Sequence, residues 1–290
     1  MLDQKPDRPD PARGDVEDAV YVDVGADGRP VQPAQGEGGG GALGRFRAGI
    51  AAKPRKDHSG KPLWRRILVF IVKWTLILIV LALLATVALV FLFRVVNPPP
   101  TFTMAQRSMA GAAVQRTWVP LNEISINLVR AVIADEDQRF CDHKGFDMVE
   151  IQKAINENAE GGRLRGASTL SQQTAKNVFL FQDGGYVRKG AEAYFTWLME
   201  QTWSKRRIME VYLNVAEWGD GLFGAEAAAQ ARFGVSARNL TRQQAAQLAA
   251  VLPSPNRWRV DGDYAVRRRG PWILRNMSVI ERDGLDRCLL

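Results

Sequence analysis

Between Glu136 and Glu192 the chain carries a run of polar side chains that a folding core does not require. Glu136, Asp137, His143 and Asp147 are followed by Ser168, Thr169, Gln172, Gln173, Lys176 and Asn177, then by Arg188, Lys189 and Glu192. A carboxylate can take a proton from a hydroxyl, and does so best when desolvation raises its pKa. Lysine and arginine in the same stretch can receive an anionic leaving group, phosphate above all. Together these residue types suit a site that removes a proton on one side and neutralises departing charge on the other.

The spacing sharpens part of this reading. Thr169, Gln172, Gln173 and Lys176 fall at i, i+3, i+4 and i+7, so on a helix they form one polar stripe. A hydroxyl, two amides and a lysine are equipped for sugar hydroxyls and phosphate, whereas an ordinary solvent face carries Glu and Lys. The preceding Gly161–Ala167, with Arg163 and Arg165, is a cationic approach to a helix N-terminus, where phosphate binds readily. Other members read more blandly when taken singly. Glu136 and Asp137 alone are two solvated acids at a helix end. Glu192 alone is a surface partner of Arg188 at i,i+4, worth about 0.3 kcal/mol. His143, with no second histidine nearby, is structural and half of no metal pair, so no protein metal site is expected.

The elements that must position these residues are helical almost throughout. A helical run over Ile124–Asp135 delivers Glu136, and Asp147 with Glu150 has the form of a capping box. Ser204 opens a helix through Asn214, and Thr241 with Gln244 caps an Ala-rich one running to Leu252. Val187, Ala191, Tyr194, Phe195, Leu198 and Met199 keep helical spacing and so form a buried face. Trp197 and Trp203 read as core, with a membrane-interface patch as the second reading. Strand signals are sparse, and the fold class predicted is mainly α.

Upstream, residues 1–60 combine many Asp, Gly and Pro with few aliphatics, which predicts a disordered segment. Trp74–Phe93 is a stretch of 20 residues without a charge. At about 1.5 Å per residue it matches a hydrocarbon core of about 30 Å, so a single transmembrane helix is placed at 67–96. The stretch is too long and too late for a cleaved signal peptide, and a buried soluble helix of that length would need a polar face. Arg45, Arg47, Lys53, Arg55, Lys56, Lys61, Arg65, Arg66 and Lys73 precede it, while Arg94 and Arg107 follow. The positive-inside rule puts residues 1–60 in the cytoplasm and everything after Phe93 outside. Residues 97–101, with Pro98, Pro99 and Pro100, form a stiff tether, and 102–290 is one domain of ordinary size.

A net charge of +8 suits an anionic membrane surface or a phosphorylated substrate. Nucleic acid is not expected as a partner, since neither zinc-finger spacing nor an aromatic RNA-binding signature is present. Cys141 and Cys288 form no CxxC, and their spacing neither requires nor forbids a bond between them. The basic run Arg267–Arg269 reads as a solvated face before it reads as a lipid-facing patch.

In order and spacing these residues resemble the peptidoglycan glycosyltransferases, the module of class A penicillin-binding proteins and of monofunctional biosynthetic transglycosylases. Glu136, Asp137, Phe140, His143, Gly145 and Asp147 are similar to the first signature of that family. Gly166 to Asn177 is similar to the second, and Arg188, Lys189 and Glu192 to the third. Lys205 to Asn214 with Gly221 to Glu226 resembles the fourth, and Ala245 to Pro255 the fifth. The likeness runs from about Pro98 to Trp258. The outer domain, too short to hold a transpeptidase as well, resembles the monofunctional enzyme. Ala167 stands where the family often has Gly, Arg232 where an aromatic usually precedes Phe233, and Gln244 where Glu is usual.

The resemblance implies a lysozyme-like helical fold that joins lipid II units into β-1,4-linked glycan with release of undecaprenyl pyrophosphate. It implies that Glu136 is the general base of an inverting transfer and Glu192 a second essential carboxylate. Lys176, Arg188 and Lys189 would meet the pyrophosphate, with no obligatory cofactor, a divalent Mg or Mn ion being compatible there. Asp137, Ser168, Thr169, Gln172, Gln173 and Asn177 would bind substrate. Expected partners are lipid II, the growing strand, the membrane and other cell-wall synthesis or division proteins. Expected localisation is the bacterial inner membrane, with the catalytic domain periplasmic. Two other classes stay open: a lysozyme-like hydrolase or lytic transglycosylase, and a non-catalytic cell-wall scaffold.

Overall fold

Helix α1 (Leu63–Phe93) runs for 31 residues, about 46 Å at 1.5 Å per residue, and is apolar along most of its length. The computed structural model describes residues 62–160, 166–182 and 184–290. The predicted disordered segment 1–60 and the arginines Arg163 and Arg165 lie outside the described residues. By length and composition α1 can cross a membrane, and only its C-terminal end is buried, at Val90 and Phe93.

That end is held firmly. The terminal carbonyls of a helix need donors, and here side chains supply them. The Trp203 indole N–H donates to the Val90 carbonyl at 2.9 Å. The Arg207 guanidinium donates to Phe93 O at 3.0 and 3.1 Å and to Val96 O at 2.8 Å, and is itself paired with Glu210. Cationic donors at this end also complement the helix dipole. Pro98 is buried and its carbonyl accepts from Arg116 at 3.0 Å, so the chain leaves the helix along a fixed path.

The helices that follow begin where short polar side chains can cap them. Thr101 opens α2 (Phe102–Met109) and Ser125 opens α3 (Ile126–Glu136), two residues later than the periodicity predicts because Ile124 is extended. Asp147 opens α4 (Met148–Ala159), accepting from the N–H groups of Val149 and Glu150. A Thr169–Gln172 capping box opens α5 (Leu170–Phe179). Helix α6 (Gly185–Thr202) is followed by α7 (Lys205–Val215), capped by Ser204 as the sequence indicates. Then come α8 (Ala225–Phe233), α9 (Arg242–Val251) with the predicted Thr241–Gln244 box, and α10 (Gly270–Arg282) after a π-helical turn at Tyr264–Arg269. The sheet is small: β1 (Gln115–Arg116) lies parallel to β3 (Leu222–Phe223), which pairs antiparallel with β2 (Glu217–Gly219).

Two helix groups make the core. The apolar face of α3, with Leu128, Val132 and Ile133, packs on α9 and α10. Ala245, Ala246, Ala249 and Ala250 are all buried on α9, and small side chains let helix axes approach closely. Helix α5 packs against α6 and α7, and its entry lies beside the end of α3. Cys141 and Cys288, whose spacing left the matter open, form a disulfide with Cα atoms 5.6 Å apart. It ties the segment after α10 to the loop that carries His143. The domain is mainly α, as predicted.

Candidate active site

Glu136 is the last residue of α3, so its position follows from the packing of that helix on α9 and α10. Its Oε2 accepts from Gln173 Nε2 at 2.6 Å, and Gln173 Oε1 accepts from the Tyr212 hydroxyl at 3.4 Å. Burial raises the Glu136 carboxyl above its ordinary 4.5, and Gln173, Arg269 and Lys176 pull it partway back. A raised carboxyl is the stronger base, which suits it to take a proton from a hydroxyl. The Tyr212 hydroxyl, buried among carboxylates, is held well above its usual range and stays a donor.

Asp137, one residue on, faces inward and braces the structure. Both its oxygens lie 3.0 Å from His143 Nε2, and Oδ2 also accepts from Leu170 N in the first turn of α5. His143 Nδ1 accepts from Gly145 N at 3.2 Å, so the ring proton sits on Nε2 and points at Asp137. The Gly145 carbonyl accepts in turn from Thr169 Oγ1 at 2.6 Å. These bonds fasten the end of α3 to the start of α5, and so hold Glu136 opposite Gln173.

The predicted stripe on α5 divides accordingly. Thr169 and Gln172 are buried and satisfy each other in the capping box. Gln173, Lys176 and Asn177 line an open cleft of about 510 Å³, with Arg107 of α2, Tyr212 and Glu217 on its other walls. Ser168 is exposed at the mouth of a second cleft of about 640 Å³, which Glu136, Arg139, Arg269 and Trp272 also line. Gln173 belongs to the first cleft and bonds Glu136 in the second, so the two meet at that pair.

The bland reading of Glu192 is overturned. It is only 2% exposed, because the packing of α6 on α5 turns it inward. Arg188 Nη1 donates to it at 2.8 Å and Lys189 is also ion-paired to it, with Lys189 Nζ 3.4 Å from Ser168 Oγ. Burial lowers the Lys176 ammonium below its usual range, Arg188 and Lys189 lower it further, and Glu192 and Glu136 hold it up. Three cations thus gather around one buried carboxylate, Arg188 and Lys189 by ion pairs and Lys176 through its field, and of the three Lys176 lines the first cleft.

A transglycosylase family model matches residues 103–278. The chain belongs to the transglycosylase family. Relatives named biosynthetic peptidoglycan transglycosylase include one from Rhodospirillum centenum, 55% identical over 209 residues, covering 71% of this chain and 90% of the relative. One from Pseudomonas fluorescens strain SBW25 is 52% identical over 221 residues, covering 74% and 89%. One from Caulobacter vibrioides is 50% identical over 205 residues, covering 70% and 89%.

In this transglycosylase domain the sequence reading missed Tyr212 and the pair Asp135–Arg269. Arg269 belongs to the basic run that read as a solvated face. Arg267 and Arg268 do pair with exposed Asp263, but Arg269 Nε lies 2.6 Å from Asp135, whose side chain is wholly buried. The signal available was an acid directly before Glu136, too weak without a known partner 134 residues away. Among the described residues no group of three His, Cys, Asp or Glu side chains is placed to hold a metal ion.

Proposed function

We propose that this chain is a membrane-anchored peptidoglycan glycosyltransferase that polymerises lipid II into β-1,4-linked glycan and releases undecaprenyl pyrophosphate. The observation that carries the reading is a desolvated carboxylate, Glu136, bonded by Gln173 of the helix that also carries Lys176, one of the cations gathered around Glu192. The names of the relatives support the substrate class.

Glu136 takes the proton of the acceptor sugar hydroxyl. The oxygen so freed attacks the anomeric carbon of the donor, and the bond from that carbon to the pyrophosphate oxygen breaks with its electron pair going to the pyrophosphate. Attack opposite to the leaving group inverts the anomeric centre. Lys176, Arg188 and Lys189 neutralise the departing charge, as fixed cations do most effectively where no reorganisation is needed. Glu192 keeps those cations together. Ser168 and Asn177, at the cleft mouths, and Asp137, Thr169 and Gln172, through the walls they hold, orient the substrate. The one carboxylate among the cations is already engaged by Arg188 and Lys189, a donor set that does not fit a resident Mg or Mn ion. No step is therefore assigned to a metal.

The anchor is α1. The excess of Lys and Arg before it supports a cytoplasmic N-terminus and a catalytic domain outside the bacterial inner membrane, where other cell-wall synthesis or division proteins work. A hydrolase cutting neutral glycan expels no charged group and has no use for this cluster of cations.

Purified chain incubated with labelled lipid II should yield glycan strands. Glu136→Gln should lower that rate by roughly 10²–10⁴-fold, the usual contribution of a positioned general base. Release of fragments from preformed peptidoglycan, with no strands from lipid II, would overturn the reading in favour of a hydrolase. Inertness toward both would favour a scaffold.

A further inference from the structure

The Cys141–Cys288 disulfide takes no part in the proposed reaction, yet Cys141 lies five residues after Glu136. The residues between α3 and α4, Asp137 to Asp147, form neither helix nor strand. That loop carries His143, whose Nε2 lies 3.0 Å from both Asp137 oxygens, and Gly145, whose carbonyl accepts from Thr169 at the start of α5. Bonds within the loop reach only two or three residues: Phe140 N to Asp137 O, Asp142 N to Arg139 O and Gly145 N to His143 Nδ1.

Cys288, in contrast, sits on a fixed post. The segment after α10 is held to α3 by Asp286, 1% exposed, which accepts from Arg130 Nε at 2.7 Å. It is held to α7 by Arg206, which donates to the carbonyls of Leu289 and Leu290. Neither anchor involves a cysteine. Between this segment and the loop the disulfide is accompanied by the Arg287–Asp142 ion pair, its side chains 60% and 31% exposed, and by Cys288 N, which donates to Cys141 Sγ at 3.3 Å. An exposed ion pair holds little and sulfur is a weak acceptor, so the covalent bond is what fastens the loop to its post.

We propose that Cys141 and Cys288 are positioning residues for Glu136, and that their disulfide is a redox-sensitive clasp. Oxidised, it holds the loop so that Asp137 and His143 lock the end of α3 to the start of α5. Reduced, it frees the loop and lowers turnover while the domain stays folded, because the packing of α3 on α9 and α10 and of α5 on α6 and α7 does not pass through it. The proposal rests on Glu136 being the base. Closing the clasp is thiol–disulfide exchange: the two cysteine thiols give two protons and two electrons to a disulfide oxidant, which leaves as two thiols, and the bond between the Sγ atoms forms. Both cysteines are half-buried, so a small thiol can reach them. On the proposed topology the domain faces the compartment in which disulfides persist, and the clasp closes there.

The test uses the full chain in detergent with labelled lipid II, well below the melting transition of each sample. It compares untreated protein, protein reduced with dithiothreitol, the same protein reoxidised with glutathione disulfide, and the double variant Cys141→Ser, Cys288→Ser. Reduction should lower kcat about tenfold, short of the roughly 10²-fold that a 1 Å misplacement costs, and change KM less than about twofold. KM is spared because Lys176, Arg188 and Lys189 gather around Glu192 and not on the loop. Reoxidation should restore kcat, and the double variant should match reduced wild type and ignore dithiothreitol. The His143 Nε2–H signal in NMR spectra, held by Asp137 with no substrate present, should be sharp in the oxidised protein and broadened or lost on reduction. Folded, reduced protein that keeps the wild-type kcat, or keeps the His143 signal, would overturn the proposal and leave a bond that only stabilises the fold. If lipid II is not polymerised by wild type, the reaction assigned above fails, while the His143 signal still decides whether the disulfide holds the frame of the base.

Discussion

Replacing Glu192 by Gln is the most searching perturbation of the cationic side of the cleft. The substitution keeps the volume and one acceptor but removes the single negative charge that Arg188, Lys189 and Lys176 share. Removing one partner of a buried ion pair typically costs about 3–5 kcal/mol, because the other charge is left uncompensated. The Gln carbonyl still accepts from Arg188, which returns about 1 kcal/mol. The Lys189 ammonium is 47% exposed, so losing that contact adds at most about 1 kcal/mol. The net loss is about 2–5 kcal/mol, which for a domain of this size lowers Tm by roughly 4–20 °C.

The same change has a signature in the reaction. Glu192 is the largest of the charges holding the Lys176 ammonium up, against burial and two neighbouring cations. Without it Lys176 gives up its proton at lower pH, so the basic limb of the lipid II polymerisation profile moves to lower pH and the rate falls across the range. Thermal melting in detergent, followed by the pH profile of the folded fraction, measures both. A Glu192→Gln protein that melts within about 1 °C of wild type and keeps its basic limb would refute the argument that this carboxylate organises the cations.

Gly145 sits at φ 93°, and a Cβ there would lie 2.9 Å from Thr196 Cγ2 and 3.2 Å from Glu200 Cγ. Gly145→Ala should therefore cost about 1–3 kcal/mol, seen as a lower Tm. The disulfide closes a sequence separation of 147 residues, so adding a reductant should destabilise wild type by about 3–5 kcal/mol in denaturant titrations. The double variant Cys141→Ser, Cys288→Ser should be insensitive to the same reductant. Asp135 is pushed up to about 7 from an ordinary 3.8, so the folded chain retains a proton that the unfolded chain has lost. Stability from this group is fully present below 3.8 and is lost as pH rises through about 7. Between pH 5 and 8 wild type should lose roughly 3 kcal/mol relative to Asp135→Asn, measured by melting at each pH.

What could be read from the sequence was what is decided within a few residues. Ser204 and the Thr241–Gln244 box cap the predicted helices because a cap needs only its own first turn. The stripe from Thr169 to Lys176 has the predicted period, yet two of its four members are occupied by the start of the helix itself. Periodicity assigns a face, and only the cap position, fixed by Thr169 being extended, says which residues the face can spare. Glu192 misled for the opposite reason. Its local partners at i−3 and i−4 are those of any surface ion pair, and its burial comes from α6 packing on α5, which no local pattern reports.

The contacts beyond reach of the sequence have one property in common: each joins the end of α3, or the loop that follows it, to a distant element. Asp135 meets Arg269 across 134 residues, Cys141 meets Cys288 across 147, and the Asp137 carboxylate reaches Leu170 across 33. A general base at a helix terminus has lost the support of the next helical turn, so its placement depends on contacts of this kind. The Arg269–Asp135 pair holds the last turn of α3, Asp137 with His143 holds the residue after it, and Gln173 bonds Glu136 itself. Loosening any of the three moves the carboxylate relative to Lys176. Because a misplacement of about 1 Å can cost about 10²-fold in rate, substitutions in this frame should lower activity well before they unfold the domain.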